Sequence, residues 1–258
     1  MNENELINYY NKFNEDKRLN TKHGQVEFLT AMKYIHKYLE NYDNPKIIDI
    51  GAGTGKYSIE LFNEGYDVTA LELVKHNLRV IEKKNKNIKT ILGNALDLSM
   101  FEDETFDIII LFGPMYHLIS EKDKLKALIE AKRILKKDGL IFISYCMNEY
   151  SVITYGFKEN HVLECLDNKM LDKNYKCVPN EKDLYSYVRL EDINYLKDKA
   201  RLKRELILSQ DGPAEYIKKE INKMNDKTFN AFLNYHYSIC ERYELLGASR
   251  HILDILKK

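Results

Sequence analysis

The sequence has no tryptophan, only four cysteines and no net charge, since 40 basic residues balance 40 acidic ones. Cys146, Cys165, Cys177 and Cys240 stand far apart, without a CxxC pair, so reduced thiols are expected and neither a disulfide scaffold nor a cysteine-based metal centre is. Balanced charge removes the basic excess on which long nucleic acids and anionic membranes draw. No run of about 18 apolar residues is present, and the start MNENELINYYNKFNEDKRLN lacks the basic-then-apolar order of an export signal. A soluble, cytoplasmic protein with no membrane partner is the expectation, and the oligomeric state is open. Internal repeats and low-complexity linkers are also missing.

What the chain does contain is an alternation of two periodicities. Val26, Leu29, Met32, Ile35 and Leu39 recur at spacings of three and four, one apolar helical stripe over about 21–42, and Pro45 closes that segment. KIIDI then opens a series of short β-runs, continued by DVTALEL, IKTILGNA, FDIIILFG and LIFISYCM, with helix-like stretches between them. These runs are apolar throughout, as strands buried on both faces of a parallel sheet are. Beyond residue 148 the text turns tyrosine-rich and helix-like, and LKRELILSQDG and HILDILKK supply two further strands near the end. The prediction is a doubly wound α/β fold: a mostly parallel seven-stranded sheet with helices on both faces, N-terminal helices, and a lid or cap inserted after the fifth strand. Its parts are a helical lead-in over 1–44, a ligand-binding core over 45–147, the cap over 148–200, and a C-terminal part over 201–258 that completes the sheet. Ligands of such sheets sit beyond the carboxyl ends of the strands, where GAGTG, Glu72, GNALD and LFGPMYH all fall.

Three chemistries use a glycine turn such as IIDIGAGTGKYS: nucleoside triphosphate, dinucleotide and S-adenosylmethionine binding. A triphosphate loop, GxxxxGK followed by Ser or Thr, would need glycine at Ile50 and a hydroxyl residue at Tyr57. The dinucleotide fingerprint GxGxxG would need glycine at Lys56, whose long side chain obstructs the approach of helix and pyrophosphate. An acid two residues before GxGxG remains, Asp49 to Gly55.

The blocks IDIGAGTGKYS, VTALEL, ILGNALDL, FDIIILFGPMYHL and RILKKDGLIFISY, in that order across 45–147, resemble the class I S-adenosylmethionine-dependent methyltransferases of small-molecule type. The resemblance implies a Rossmann-like core, S-adenosylmethionine as cofactor with S-adenosylhomocysteine as product, and in-line methyl transfer to an O, N or C atom of a small molecule, with no metal. Gly51, Ala52, Gly53 and Gly55 then present bare backbone to the methionine tail and ribose. Glu72 accepts from the ribose hydroxyls, and Asn94 and Ala95 read the adenine edge between Leu73 and Leu96. Asp49 either orders the turn or reaches the methionine amino group through water. The carbonyl of Leu111 or Phe112 meets that amino group, and Gly113 permits the close approach.

Tyr116 and His117 face the acceptor in the same resemblance. His117, with an ordinary pKa of about 6.5, either takes the acceptor's proton, or caps the helix that follows or packs under the lid. Tyr9 and Tyr10 offer aromatic faces to the sulfonium and Arg18 a guanidinium to the carboxylate, with simple packing as the alternative for the tyrosines. GPMY does not match the Asp/Asn/Ser-Pro-Pro-aromatic motif of enzymes that methylate adenine bases or glutamine, which disfavours those acceptors. The 19 tyrosines fit either an acceptor pocket or a composition biased toward Lys, Asn, Ile and Tyr. Two other readings stay open: an RNA methyltransferase, and a non-catalytic S-adenosylmethionine-binding regulator.

Overall fold

In the computed structural model, which describes residues 6–7 and 18–258, the apolar runs become strands that bury both faces. β1 (Lys46–Ile50), β2 (Asp67–Glu72), β3 (Lys89–Leu92), β4 (Phe106–Leu111) and β5 (Leu135–Met147) form the parallel part of the sheet. β7 (Lys203–Ser209) and β8 (His251–Lys257) complete it in the order β3-β2-β1-β4-β5-β8-β7, with β8 antiparallel to both of its neighbours. A two-residue strand, β6 (Tyr187–Val188), adds itself to the end of β5, which makes eight strands among the described residues. β5 begins earlier than LIFISYCM: Leu135 pairs with Phe106, then the register shifts so that Leu140 meets Ile108.

Alternation along each strand divides the core in two. Ile48, Ile50, Ile109, Leu111, Ile141 and Ile143 pack toward α5 (Glu121–Ile134) and α8 (Leu190–Lys199). Ile47, Ile108, Ile110 and Phe142 pack toward α1 (Lys22–Leu39), α2 (Lys56–Asn63) and α3 (Lys75–Lys84). A side-chain period of two thus fills both layers from one apolar run.

After β5 come α6 (Asn148–Ser151), a π-helical turn over Val152–Lys158 and α7 (Val162–Asp167), with a small core of Val152, Cys165 and Leu171. Residues 190–199, which the sequence placed at the end of a cap, are α8 and pack on α5 and β7 as part of the layer covering the sheet. α9 (Lys218–Lys223) and α10 (Asp226–Ile239) then lie against α1.

The antiparallel edge is tied by one buried ion pair. Arg204 donates from Nε and Nη2 to the carboxylate of Asp254 at 2.6 and 2.9 Å, and from Nη1 to Asn194 on α8 at 2.6 Å. Asp254 is fully buried, and burial pushes its carboxyl upward even with the guanidinium beside it. Arg204→Met should therefore lower the unfolding free energy by about 3–5 kcal/mol in urea titrations, the range for stranding one charge of a buried pair. The double variant Arg204→Met/Asp254→Leu should recover most of that loss.

Candidate active site

Strand order reverses between β1 and β4, the point at whose carboxyl edge sheets of this kind bind ligands. The chain leaves β1 through Gly51, Gly53 and Gly55, at φ +78°, +55° and +83°. Two of these glycines are needed for packing as well as for φ. A Cβ on Gly51 would lie 2.7 Å from Pro114 Cδ, and one on Gly55 would lie 2.8 Å from Ile81 Cγ1. Gly53 differs: nothing lies within 4 Å of its Cβ position, and the residue lines the pocket. Glu72, at the end of β2, holds the turn in place, with Oε2 accepting from Gly53 N at 2.8 Å and Oε1 from Val74 N at 2.9 Å. Burial pushes the Glu72 carboxyl upward despite these donors.

Asp49, in β1, accepts from Ser58 Oγ on α2 at 2.5 Å. Burial pushes it up to about 7, against the pull of the Ser58 hydroxyl. One pocket joins these groups. Leu73, Asn94 and Ala95 wall one end, Asp49 with the glycine turn and Phe112–Gly113 the middle, and Tyr116, His117 and Leu118 the other end, beside Arg18 and Glu27.

Tyr116 and His117 belong to a short helix, α4 (Pro114–His117), that follows Gly113. The His117 ring lies 4.8 Å from that of Tyr116 and 5.1 Å from that of Tyr185. Its Nδ1 is 2.8 Å from Leu184 O, so Nδ1 carries the hydrogen and Nε2 is the basic nitrogen. Burial pushes the imidazole down to about 4.

Residues 48–143 match the family model described as a methyltransferase domain. That stretch is thus similar to a methyltransferase domain, on a fold shared with S-adenosylmethionine-dependent methyltransferases. Among relatives, it is 28% identical to a glycine/sarcosine N-methyltransferase of Aphanothece halophytica over 149 residues, 55% of this chain and 56% of that protein. It is 30% identical to the cypemycin N-terminal methyltransferase of Streptomyces sp over 104 residues, covering 39% of this chain and 42% of that one. The chain spans about half the length of the curated relatives it matches. Its fold is shared with a methyltransferase from Methanosarcina mazei (TM-score 0.59, 17% identity, 87% of this chain and 96% of that one). It is shared also with the 1,6-didemethyltoxoflavin-N1-methyltransferase of Burkholderia thailandensis, crystallised with S-adenosylhomocysteine (TM-score 0.57, 11% identity, 99% and 86%).

The methyltransferase domain does not bring every expected residue to the pocket. Leu96 is half-buried, packs against the core and does not line the pocket; of the two carbonyls expected at the methionine amino group, that of Phe112 belongs to a pocket-lining residue and that of Leu111 to one whose side chain is buried in the core. Asn94 lines the pocket, with its Oδ1 accepting from Leu96 N at 3.0 Å in a local turn. Arg18 lines it too, with Nη1 and Nη2 on the two oxygens of Glu27 at 2.6 and 3.1 Å. Tyr9 and Tyr10 lie outside the described residues. For His117 the proton-acceptor reading weakens: a group that protonates only near pH 4 offers little driving force for deprotonating an ammonium or a phenol, whose pKa is about 10.

Sequence reasoning missed a buried charged cluster at the Tyr116 end. His251, at the start of β8, lies 2.7 Å from Asp211 Oδ2 and 3.4 Å from Glu27 Oε2, and its ring centroid is 6.1 Å from that of Tyr116. Arg250 pairs with Glu215 at 2.9 Å and sits over the Tyr150 ring at 5.3 Å. Asp211 and His251 follow and precede strands at the carboxyl edge, a position that would have marked them had β7 and β8 been read for their ends. The donor atoms of Glu27, Asp211 and His251 lie within 4.8 Å of one another, as metal ligands would. Their positive charge comes from Arg18 and from the imidazole itself: burial alone would lower the His251 pKa, but Glu27 and Asp211 carry it up to about 10. Glu27 is held at about 2, where burial alone would raise it, by Arg18 and His251.

The sign of the pH effect follows. A raised imidazole pKa contributes stability that is complete below about 6.5, and that stability is lost as pH rises through about 10. The gap in unfolding free energy between the wild type and His251→Gln should accordingly narrow steadily from pH 6.5 to 10. A gap that stays constant across that window would show that the imidazole is not charged in the folded state. Separately, Gly51→Ala should lower the thermal midpoint, with a destabilisation of about 1–3 kcal/mol from left-handed strain and the clash with Pro114.

Proposed function

We propose that this chain transfers the methyl group of S-adenosylmethionine to a small-molecule acceptor, releasing S-adenosylhomocysteine. The observation that carries the reading is the single pocket running from Glu72 and Asn94, past the open Cβ position of Gly53, to Tyr116 and His117. Its lining suits a ligand without phosphates: Arg18 is paired with Glu27, and the other lysine or arginine in the wall, Lys56, donates to Asn20. When bound, the cofactor supplies an electrophilic methyl on a sulfonium centre.

The roles of the side chains follow from their places. Glu72 keeps one lone pair beyond those spent on Gly53, Val74 and Asn77, and this accepts from a ribose hydroxyl. Leu73, Asn94 and Ala95 hold the adenine. Gly51, Ala52, Gly53, Phe112 and Gly113 hold the methionine portion, and Asp49 faces its ammonium group. Pro114 and Leu118 exclude water from the reacting end, where Tyr116 and His117 orient the acceptor. Because His117 stays neutral, positioning and desolvation carry the rate, and an amine acceptor has to react as the free base. Two relatives named glycine/sarcosine N-methyltransferases support a nitrogen acceptor. In this reading the partner is a small molecule rather than a nucleic acid, and the chain works in the cytoplasm; among the described residues no helix is long and apolar enough to cross a membrane.

Calorimetry with S-adenosylhomocysteine tests the reading: saturable binding is expected, and no heat at high micromolar ligand would refute it. Glu72→Ala should weaken that binding by about tenfold or more, the equivalent of one charge-assisted hydrogen bond. Asp49, at about 7 in the free protein, has to ionise to face the ammonium. Affinity should thus rise with pH through 7 and fall about tenfold per unit below it, and Asp49→Asn should remove the dependence.

A further inference from the structure

The region after β5 holds a cavity of about 620 Å³ that the cofactor pocket does not include. We infer that this cavity is the acceptor chamber, and that the acceptor is a ring-bearing, largely apolar molecule; the inference rests on the methyl-transfer reading above. The volume lies within the range of about 300–1,000 Å³ that small-molecule sites show, and it is far more than a glycine-sized acceptor needs. One wall is the π-helical turn, an uncommon conformation that recurs at functional sites. Tyr155, Met170 and Val178 line the cavity yet stay 42%, 45% and 44% exposed, so apolar surface that the core leaves uncovered faces this space.

The opposite wall connects it to the reacting end of the cofactor pocket. Tyr185 lines the cavity, and its ring is 5.1 Å from that of His117 and 5.9 Å from that of Tyr116, both of which line the other pocket. Ser186 N donates to Tyr116 O at 2.7 Å, Leu184 O accepts from His117, and Lys124 Nζ donates to Ser186 Oγ at 2.7 Å. A strap of three residues, Leu184 to Ser186, lines the cavity and is bonded to Tyr116 and His117 of the other pocket. The acceptor's ring occupies the cavity and its nucleophilic atom passes Tyr185 to Tyr116 and His117. There it bonds the methyl carbon, the electron pair of the broken carbon–sulfur bond stays on sulfur, and the acceptor's proton leaves to solvent. The neutral His117 keeps the role of orienting this junction.

Gly156 lines the cavity, and a Cβ there meets nothing closer than Val162 at 3.7 Å, so Gly156→Leu fills the space without backbone strain. The probe is 8-anilinonaphthalene-1-sulfonate, titrated by fluorescence into protein saturated with S-adenosylhomocysteine. One saturable site is expected, weakened at least tenfold by Gly156→Leu. Leu163→Ser, which alters a highly exposed side chain outside the cavity wall, should leave it unchanged. Ser151→Phe narrows the same cavity and serves if Gly156→Leu fails to fold.

A second arm supplies 2-naphthalenethiol at pH 8, where its thiolate needs no base, and follows the methyl thioether by mass spectrometry. Gly156→Leu should lower kcat/KM for the thiol at least tenfold with the KM for S-adenosylmethionine within twofold. Loss of S-adenosylhomocysteine binding would refute the methyl-transfer reading itself. Intact S-adenosylhomocysteine binding with no probe site, with probe binding indifferent to Gly156→Leu and Ser151→Phe, or with no thioether formed, would refute the acceptor chamber alone.

Discussion

The contact between Gly51 and Pro114 is the constraint on which the site depends. At the point where the strand order reverses, the loop after β1 and the first turn after β4 lie so close that a single methyl group on Gly51 would sit 2.7 Å from the proline ring. That closeness brings Asp49, Phe112 and Gly113 to one wall and sends Tyr116 and His117 onward to the far end. Glu72 extends the arrangement sideways, because its carboxylate fixes Gly53 to the end of β2. Three strand ends are thereby locked into one rigid cradle, as preorganised binding of a flexible cofactor requires.

Buried charge is distributed unequally along the pocket. At the cofactor side, Asp49 and Glu72 are buried carboxyls held by neutral donors, and burial raises both. At the Tyr116 end, Glu27 and Asp211 are buried against Arg18 and His251, and the net effect holds both carboxyls ionised. Buried ion networks contribute little net stability compared with well-packed apolar groups. The cluster's placement beside Tyr116 accords instead with a rigid backing for the reacting end, since it joins α1, the end of β7 and the start of β8 through side chains that cannot rotate without stranding a charge.

The layered fold was legible because it rests on local patterns. Runs such as FDIIIL can be satisfied only between two apolar layers, and Val26 to Leu39 can cover one of those layers only as a helix. The glycine turn was legible because Ile50, Lys56 and Tyr57 are sterically or chemically wrong for the competing chemistries. The Leu96 side chain lies off the pocket for a simple reason: it is one residue from Ala95, and a shift of one residue in a tight turn changes the side chain's direction.

The sequence by itself determined the sheet, the glycine turn and the acid at the end of β2, because strand period, backbone freedom and short-range hydrogen bonding are properties of neighbouring residues. Only the tertiary structure decided the rest. The union of Glu27, Asp211 and His251 joins residues far apart in the chain, and the pairing of Glu27 with His251 is visible only once α1 packs beside the start of β8. His117 was legible as an imidazole at the right loop; its neutrality was not, because burial beneath Tyr116 and Tyr185 is a property of the packed fold.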